Sequence, residues 1–255
     1  NSVVSAFAYI AAGLADIALV VGAERFDSPG RILEWDRSRG QYKHPIYWSS
    51  MFTKAHMRKY GTTKEDLAIV SAKNHKNATA NPYAYFEKEY SVDEIMQSKN
   101  LTEEIRLLDC SLPCSGSAAI LLASEETAKK YTDCPVWITG IGQKTTSAGF
   151  TKNTDLTTMQ STIHAATDAY KMSNIQASNV DVAEIHDAFT ICEIIELEDL
   201  GFAKKGEASR YARICYETQD RKINPRGGLI GSGHPLGATG IAQITEICQQ
   251  LQGKA

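Results

Sequence analysis

Asn224-Pro-Arg-Gly-Gly-Leu-Ile-Gly-Ser-Gly-His-Pro-Leu-Gly-Ala-Thr-Gly240 places six glycines and one histidine within seventeen residues. A structural turn needs one or two glycines; this density lets the backbone take positive φ and lets other groups approach it closely. Leu229 and Ile230 inside the run argue against a flexible surface loop, and His234 is held between Gly233 and Pro235. An imidazole in such a niche suits a base or hydrogen-bond donor that touches a substrate. The run passes directly into Ile241, Ile244, Ile247 and Leu251, the apolar stripe of a helix that Gly253 stops.

Upstream, Val180–Ile185 reads as a strand that delivers His186 at its carboxyl end, followed by a helix from Phe189 to Leu200 that Gly201 closes. In open α/β sheets ligands collect beyond the carboxyl ends of strands, so His186 and His234 are candidates for one shared site. A neutral His186 could donate N–H to a developing oxyanion, with Asp187 orienting it. Satisfying a nearby backbone carbonyl is the plain alternative for a strand-end histidine. Further strands are expected at Asp16–Gly22, Ala118–Ser124 and Val136–Gly142, with Gly140 and Gly142 as bulges or points of close approach. Helices are expected over Val3–Ala12, from Ser124 through Lys130, and over Ser161–Met172. The continuous apolar run at Asp16–Gly22, with its β-branched content, suggests a strand covered on both faces. Strands alternating with helices predict an α/β architecture with a largely parallel sheet.

Residues 26–104 break this alternation as an insertion of polar helices between strands. Ser50–Tyr60 is one helix. Capping boxes at Thr62-Thr-Lys-Glu65 and Ser91-Val-Asp-Glu94 open two more. Its cations Lys54, Arg58, Lys59, Lys73 and Lys76 read as a solvated face, contact with substrate phosphates being the alternative.

The totals exclude several classes. A chain of 255 residues with 43% apolar and 22% charged residues has ordinary globular composition. A net charge of −3 gives no general pull toward nucleic acid or anionic membrane. No apolar run approaches the roughly 20 residues of a membrane helix. The cysteines at 110, 114, 134, 192, 215 and 248 form no CxxC pair and suit a reducing, cytosol-like compartment, each by default a small buried hydrophobe. The histidines at 44, 56, 75, 164, 186 and 234 show no HxxxH or HExxH spacing, so no metal is expected. Gly231–Gly237 has one residue too many for a dinucleotide fingerprint, and neither a GxSxG elbow nor a P-loop is present.

The pairing of His186-Asp-Ala-Phe189 with residues 224–240 resembles the thiolase superfamily, closest to its sterol-carrier-protein-type and archaeal branch. Asp16–Glu24, His56–Gly61, Lys73–Asn77, Asn81–Tyr83, Leu107–Cys110 and Glu193–Phe202 extend the likeness along nearly the whole chain. The resemblance implies an α/β fold of αβαβα layers built from two similar halves and incomplete here at both ends. Residues 1–127 would be the rest of the N-terminal half with its loop-domain insertion, and 128–255 the C-terminal half. It implies an acyl-CoA C-acetyltransferase working through a cysteine acyl-enzyme, with His234 activating the cysteine and His186 holding the thioester oxygen. Ala188, Phe189 and Gly233 would line the substrate pocket. Coenzyme A thioester is then substrate, with no separate cofactor, and the expected assembly is a homodimer or homotetramer, with a further partner subunit conceivable. The expected location is cytoplasmic, a peroxisomal one remaining open. The nucleophilic cysteine is expected about five residues before Asn1, so this chain alone should be inactive. Position 188 carries alanine where some relatives have a second cysteine, and Cys114-Ser115 departs from the aspartate common there. Two alternatives stand beside this: a thiolase-like retro-aldolase on a CoA thioester, and a non-catalytic acyl-CoA-binding scaffold subunit.

Overall fold

The structure, a computed structural model, describes residues 1–25, 44–146 and 155–255. Among these, helix α1 (Ser2–Ala11) precedes strand β1 (Ile17–Glu24), and helices α2 (Pro45–Tyr60), α3 (Lys64–Ala78) and α4 (Val92–Met96) precede strand β2 (Gly116–Ala123). Helices α5 (Glu125–Tyr131), α6 (Gln160–Ser173), α7 (Thr190–Asp199), α8 (Ala208–Thr218), α9 (Gly228–Ser232) and α10 (Thr239–Leu251) follow.

β1 and β2 pair antiparallel, Ile17 opposite Ala123 and Glu24 opposite Gly116. Side chains alternate across the ribbon. Val20 and Leu122 turn inward with Ile241 of α10, and Val3, Phe7 and Ile10 of α1 pack on them. Leu19, Val21 and Leu121 turn outward and are exposed. The expectation of a largely parallel sheet, with the first strand covered on both faces, is therefore corrected for the described residues. A continuous apolar run satisfies either strand direction, so its composition does not choose between them.

Two expected strands do not form. Val136–Gly142 has no ladder, and Val180–Ile185 makes only a single parallel bridge, Ala183 to Ile223. Strand character is conferred by a hydrogen-bonded neighbour, and neither segment has a full one among the described residues. The glycines at 140 and 142 do mark close approach. A Cβ on Gly142 would stand 1.8 Å from the Ala165 carbonyl oxygen of α6.

Helices α2, α3 and α4 lie between the two strands; residues 26–43 of the expected insertion fall outside the described ones. Ser91 and Glu94 form the predicted capping box. The first box sits one residue later than predicted, pairing Thr63 with Asp66. Thr62 is unavailable because its hydroxyl is 2.7 Å from His56 Nδ1 inside the fold. The reading of α3 as a polar helix is also corrected. Leu67 and Val70 join Ile191, Ile194, Ile195 and Leu197 of α7 and Ala208 and Ala212 of α8 in the main core. The opposite side of α3 gives Ala68 and Ala72 to a cluster with Ile95. Of the cations assigned to a solvated face, Lys54, Arg58 and Lys59 are exposed, whereas Lys73 is buried against Glu193.

Candidate active site

Cys110–Cys114 is the strut on which both histidine-bearing segments hang. On one edge Cys110 bridges Phe189 and the Ser111 N–H donates to the Ala188 carbonyl at 2.9 Å. On the other, the His234 N–H donates to the Leu112 carbonyl at 2.8 Å and the Cys114 N–H to the His234 carbonyl at 3.4 Å. Alternate residues of an extended segment present backbone groups to opposite edges, so five residues fix both segments at once. The result is that the imidazoles of His186 and His234 stand 5.1 Å apart, centroid to centroid, with their planes at 82°.

The glycine run folds around this strut. It contains the short helix α9, which sequence reading did not anticipate, and Leu229 and Ile230 within it are buried. Gly228 has φ +59°, and a Cβ there would lie 2.2 Å from Asp187 Oδ2. Gly233 has φ +88°, and its Cβ would meet Cys114 Sγ at 2.8 Å. Both positions need glycine for conformation and for space. Tyr85 closes the same side, its N–H donating to the Ser232 carbonyl at 3.1 Å. Of the remaining predicted lining residues, Ala188 and Phe189 are half-buried beside the strut, and Phe189 also packs on the main core.

His234 Nδ1 lies 2.8 Å from the Thr239 hydroxyl, which donates its own proton to the Pro235 carbonyl at 2.9 Å. With that proton committed, Thr239 accepts from Nδ1–H, and Nε2 keeps its lone pair. Burial, with His186 as a second cationic group, brings the His234 pKa down to about 4. His186 stands at the exposed rim, yet desolvation by the protein packed around its ring lowers its pKa too. Both rings are therefore neutral at pH 7. The His186 backbone N–H donates to Glu196 Oε2 at 3.1 Å. Burial raises Glu196 to about 8, and burial raises Glu184 to about 8 against the pull of Arg226.

The nearby thiols are not prepared as nucleophiles. Burial pushes Cys110 up to about 12 and raises Cys114 and Cys192. Among the described residues no group of three or more His, Cys, Asp or Glu is placed to hold a metal ion. An apolar cleft of about 1320 Å³, lined by Phe7, Leu121, Trp137 and Ile244 among others, includes neither histidine.

The chain has clear relatives. A family model described as thiolase C-terminal domain-like matches residues 142–255. An acetyl-CoA acetyltransferase of Methanothermobacter thermautotrophicus is 38% identical over 96% of this chain and 67% of its own length. One of Methanocaldococcus jannaschii is 36% identical over 95% of this chain and 65% of its length, and sterol carrier protein 2 of Oryctolagus cuniculus 35% identical over 96% and 49%. The chain thus spans about two-thirds of the archaeal relatives and about half of the sterol carrier protein. In fold it matches the Ltp2-ChsH2(DUF35) aldolase with a TM-score of 0.87 at 24% identity, covering 99% of this chain and 69% of that one. It matches a monomeric SCP2-thiolase-like protein of Mycobacterium smegmatis with a TM-score of 0.74 at 20% identity, covering 99% and 54%. The α/β layered likeness and the archaeal identities agree with the paired histidine motifs, and the chain belongs to the thiolase family.

Proposed function

We propose that the protein carrying this chain is an acyl-CoA C-acetyltransferase that makes or cleaves a carbon–carbon bond in a 3-ketoacyl-CoA through a cysteine acyl-enzyme. The observation that carries this is a neutral His234 with a bare Nε2, set 5.1 Å from a neutral His186. In this reading Nε2 takes the proton of the reactive thiol, which the family likeness expects upstream of Asn1. The thiolate attacks the thioester carbonyl, and His186 N–H holds the oxygen as charge develops there. The C–S bond to coenzyme A then breaks, and the proton on His234 passes to the leaving thiolate. An acid–base group, a second cysteine in the family likeness, takes the α-proton of a second acyl-CoA. The resulting carbanion attacks the acyl-cysteine carbonyl, the C–S bond to the enzyme breaks and the cysteine leaves as its thiolate; thiolysis runs the same steps backward. Coenzyme A thioester is substrate, the working unit a homodimer or homotetramer, and the compartment the cytoplasm.

A thiolase-like retro-aldolase is the second reading. It draws on the raised thiols around the site, since it uses the histidine pair without a second acid–base cysteine.

Peptide mass mapping of the full-length protein after exposure to acetyl-CoA separates the two. The acetyltransferase reading expects acetyl on one cysteine outside residues 1–255, with His234→Ala slowing its transfer about 10²- to 10⁴-fold, the usual worth of a general base. Folded protein that takes up no acetyl group rejects that reading and leaves the retro-aldolase and the non-catalytic acyl-CoA-binding scaffold.

A further inference from the structure

His186 is pinned on both sides by one buried polar array. Ahead of it, the Ile185 N–H donates to Asn224 Oδ1 at 2.7 Å. Behind it, Asp187 accepts from the N–H of Leu229 at 2.6 Å and of Ile230 at 3.3 Å, which open the short helix leading to His234. Asp187 and Asn224 therefore both tie the His186 segment to the glycine run. Asn74 of α3 completes the array. Its amide nitrogen gives one proton to Asp187 Oδ2 and the other to Glu193 Oε2, each at 2.7 Å, while its oxygen accepts from Lys73 Nζ at 2.6 Å. Glu193 Oε2 also accepts from Asn224 Nδ2 at 2.7 Å, and Lys73 lies 3.0 Å from its Oε1. Every one of these side chains is buried. Glu193 Oε1 has only the Lys73 ammonium beside it, and the remaining contacts are hydrogen bonds between buried groups, so moving Asp187, Asn74 or Asn224 out of place leaves buried partners unpaired.

We propose that Asp187, fixed by Asn74, is the positioning residue that sets the spacing of His186 and His234, which makes α3 part of the catalytic support. The proposal rests on the reading of the two histidines as the reacting pair. Asp187→Asn is the primary variant: it keeps the shape of the side chain but turns an N–H toward a backbone N–H or toward the Asn74 amide. Asn74→Ser, which removes both amide donors, is the second variant should the first not fold. Leu122→Ala, in the core beneath the β-ribbon and outside the array, is the control for loss of stability alone.

The full-length protein is measured in two ways. A nuclear Overhauser contact between the ring protons of His186 and His234 reads their spacing. Steady-state kinetics with acetoacetyl-CoA separates kcat from KM. The expected result is loss of the ring–ring contact and a fall in kcat of at least tenfold at unchanged KM in Asp187→Asn or Asn74→Ser, with both readouts preserved in Leu122→Ala. A folded array variant that keeps the contact, or a control that loses it equally, overturns the proposal. If the unmodified protein turns over no acyl-CoA, the acetyltransferase reading fails by itself, and the ring–ring contact still decides the positioning role.

Discussion

Thr239 decides which nitrogen of His234 is the base. Its hydroxyl accepts from Nδ1–H only because its own proton goes to the Pro235 carbonyl. Thr239→Val keeps the shape and removes the acceptor, so both tautomers become populated. In acyl-transfer assays kcat should fall about five- to tenfold, the worth of one hydrogen bond of roughly 1 kcal/mol. Gly228 answers to a different constraint. Gly228→Ala puts a methyl 2.2 Å from Asp187 Oδ2 at φ +59°, and calorimetry should show a loss of about 1–3 kcal/mol or more. His186 and His234 were legible in the sequence because each sits in a short motif whose neighbours are chemically unusual. Thr239 and Asn74 were not. Thr239 looks like any residue opening a helix, and Asn74 meets Asp187 across a separation of 113 residues that no local pattern records.

At the scale of elements, the helices α1, α5, α6, α7 and α10 form where they are expected, and the Gly201 and Gly253 stops hold, each with positive φ. The strands were read less well. Helical hydrogen bonds close within the segment, whereas a strand depends on a partner elsewhere, so Val136–Gly142 and Val180–Ile185 carry β-branched residues without becoming strands. α3 was misread for a related reason: Lys73, Asn74 and Asn77 look like a wet face, but here they are buried polar groups with partners inside the fold. Lys73 and Glu193 form the clearest case, at 3% and 0% side-chain exposure. Removing one member of a buried pair strands the other charge. Lys73→Met should therefore destabilise the protein by about 3–5 kcal/mol in denaturant unfolding, while replacing an exposed cation such as Lys88, paired with Glu94, should leave the unfolding midpoint nearly unchanged.

Over the whole molecule, opposed titrations shape stability. Glu184 and Glu196 have pKa values of about 8 when folded against an ordinary 4.5, so between those limits the folded state binds more protons and stability falls as pH rises. His75 and His234, held near 4 against 6.5, bind protons more readily when unfolded, so their contribution falls as pH drops from 6.5 to 4. Above about 7.5 the histidines are neutral in both states, and the raised carboxyls, joined toward pH 9 by the raised thiols, lower stability as pH rises. Calorimetric melts should show a lower Tm at pH 8.5 than at pH 6.5, and Glu184→Gln should flatten that slope. The α/β class was readable from the alternation of segments, and its layering only from the family resemblance; the antiparallel sense of β1 and β2 was not readable, because direction leaves no mark on composition. Finally, α3 is at once the centre of the insertion and the post to which the histidine loops are tied. Anyone exchanging this insertion for a relative's to alter substrate preference would have to transplant Lys73, Asn74 and Asn77 with it, or graft a cap whose roots no longer reach the reacting groups.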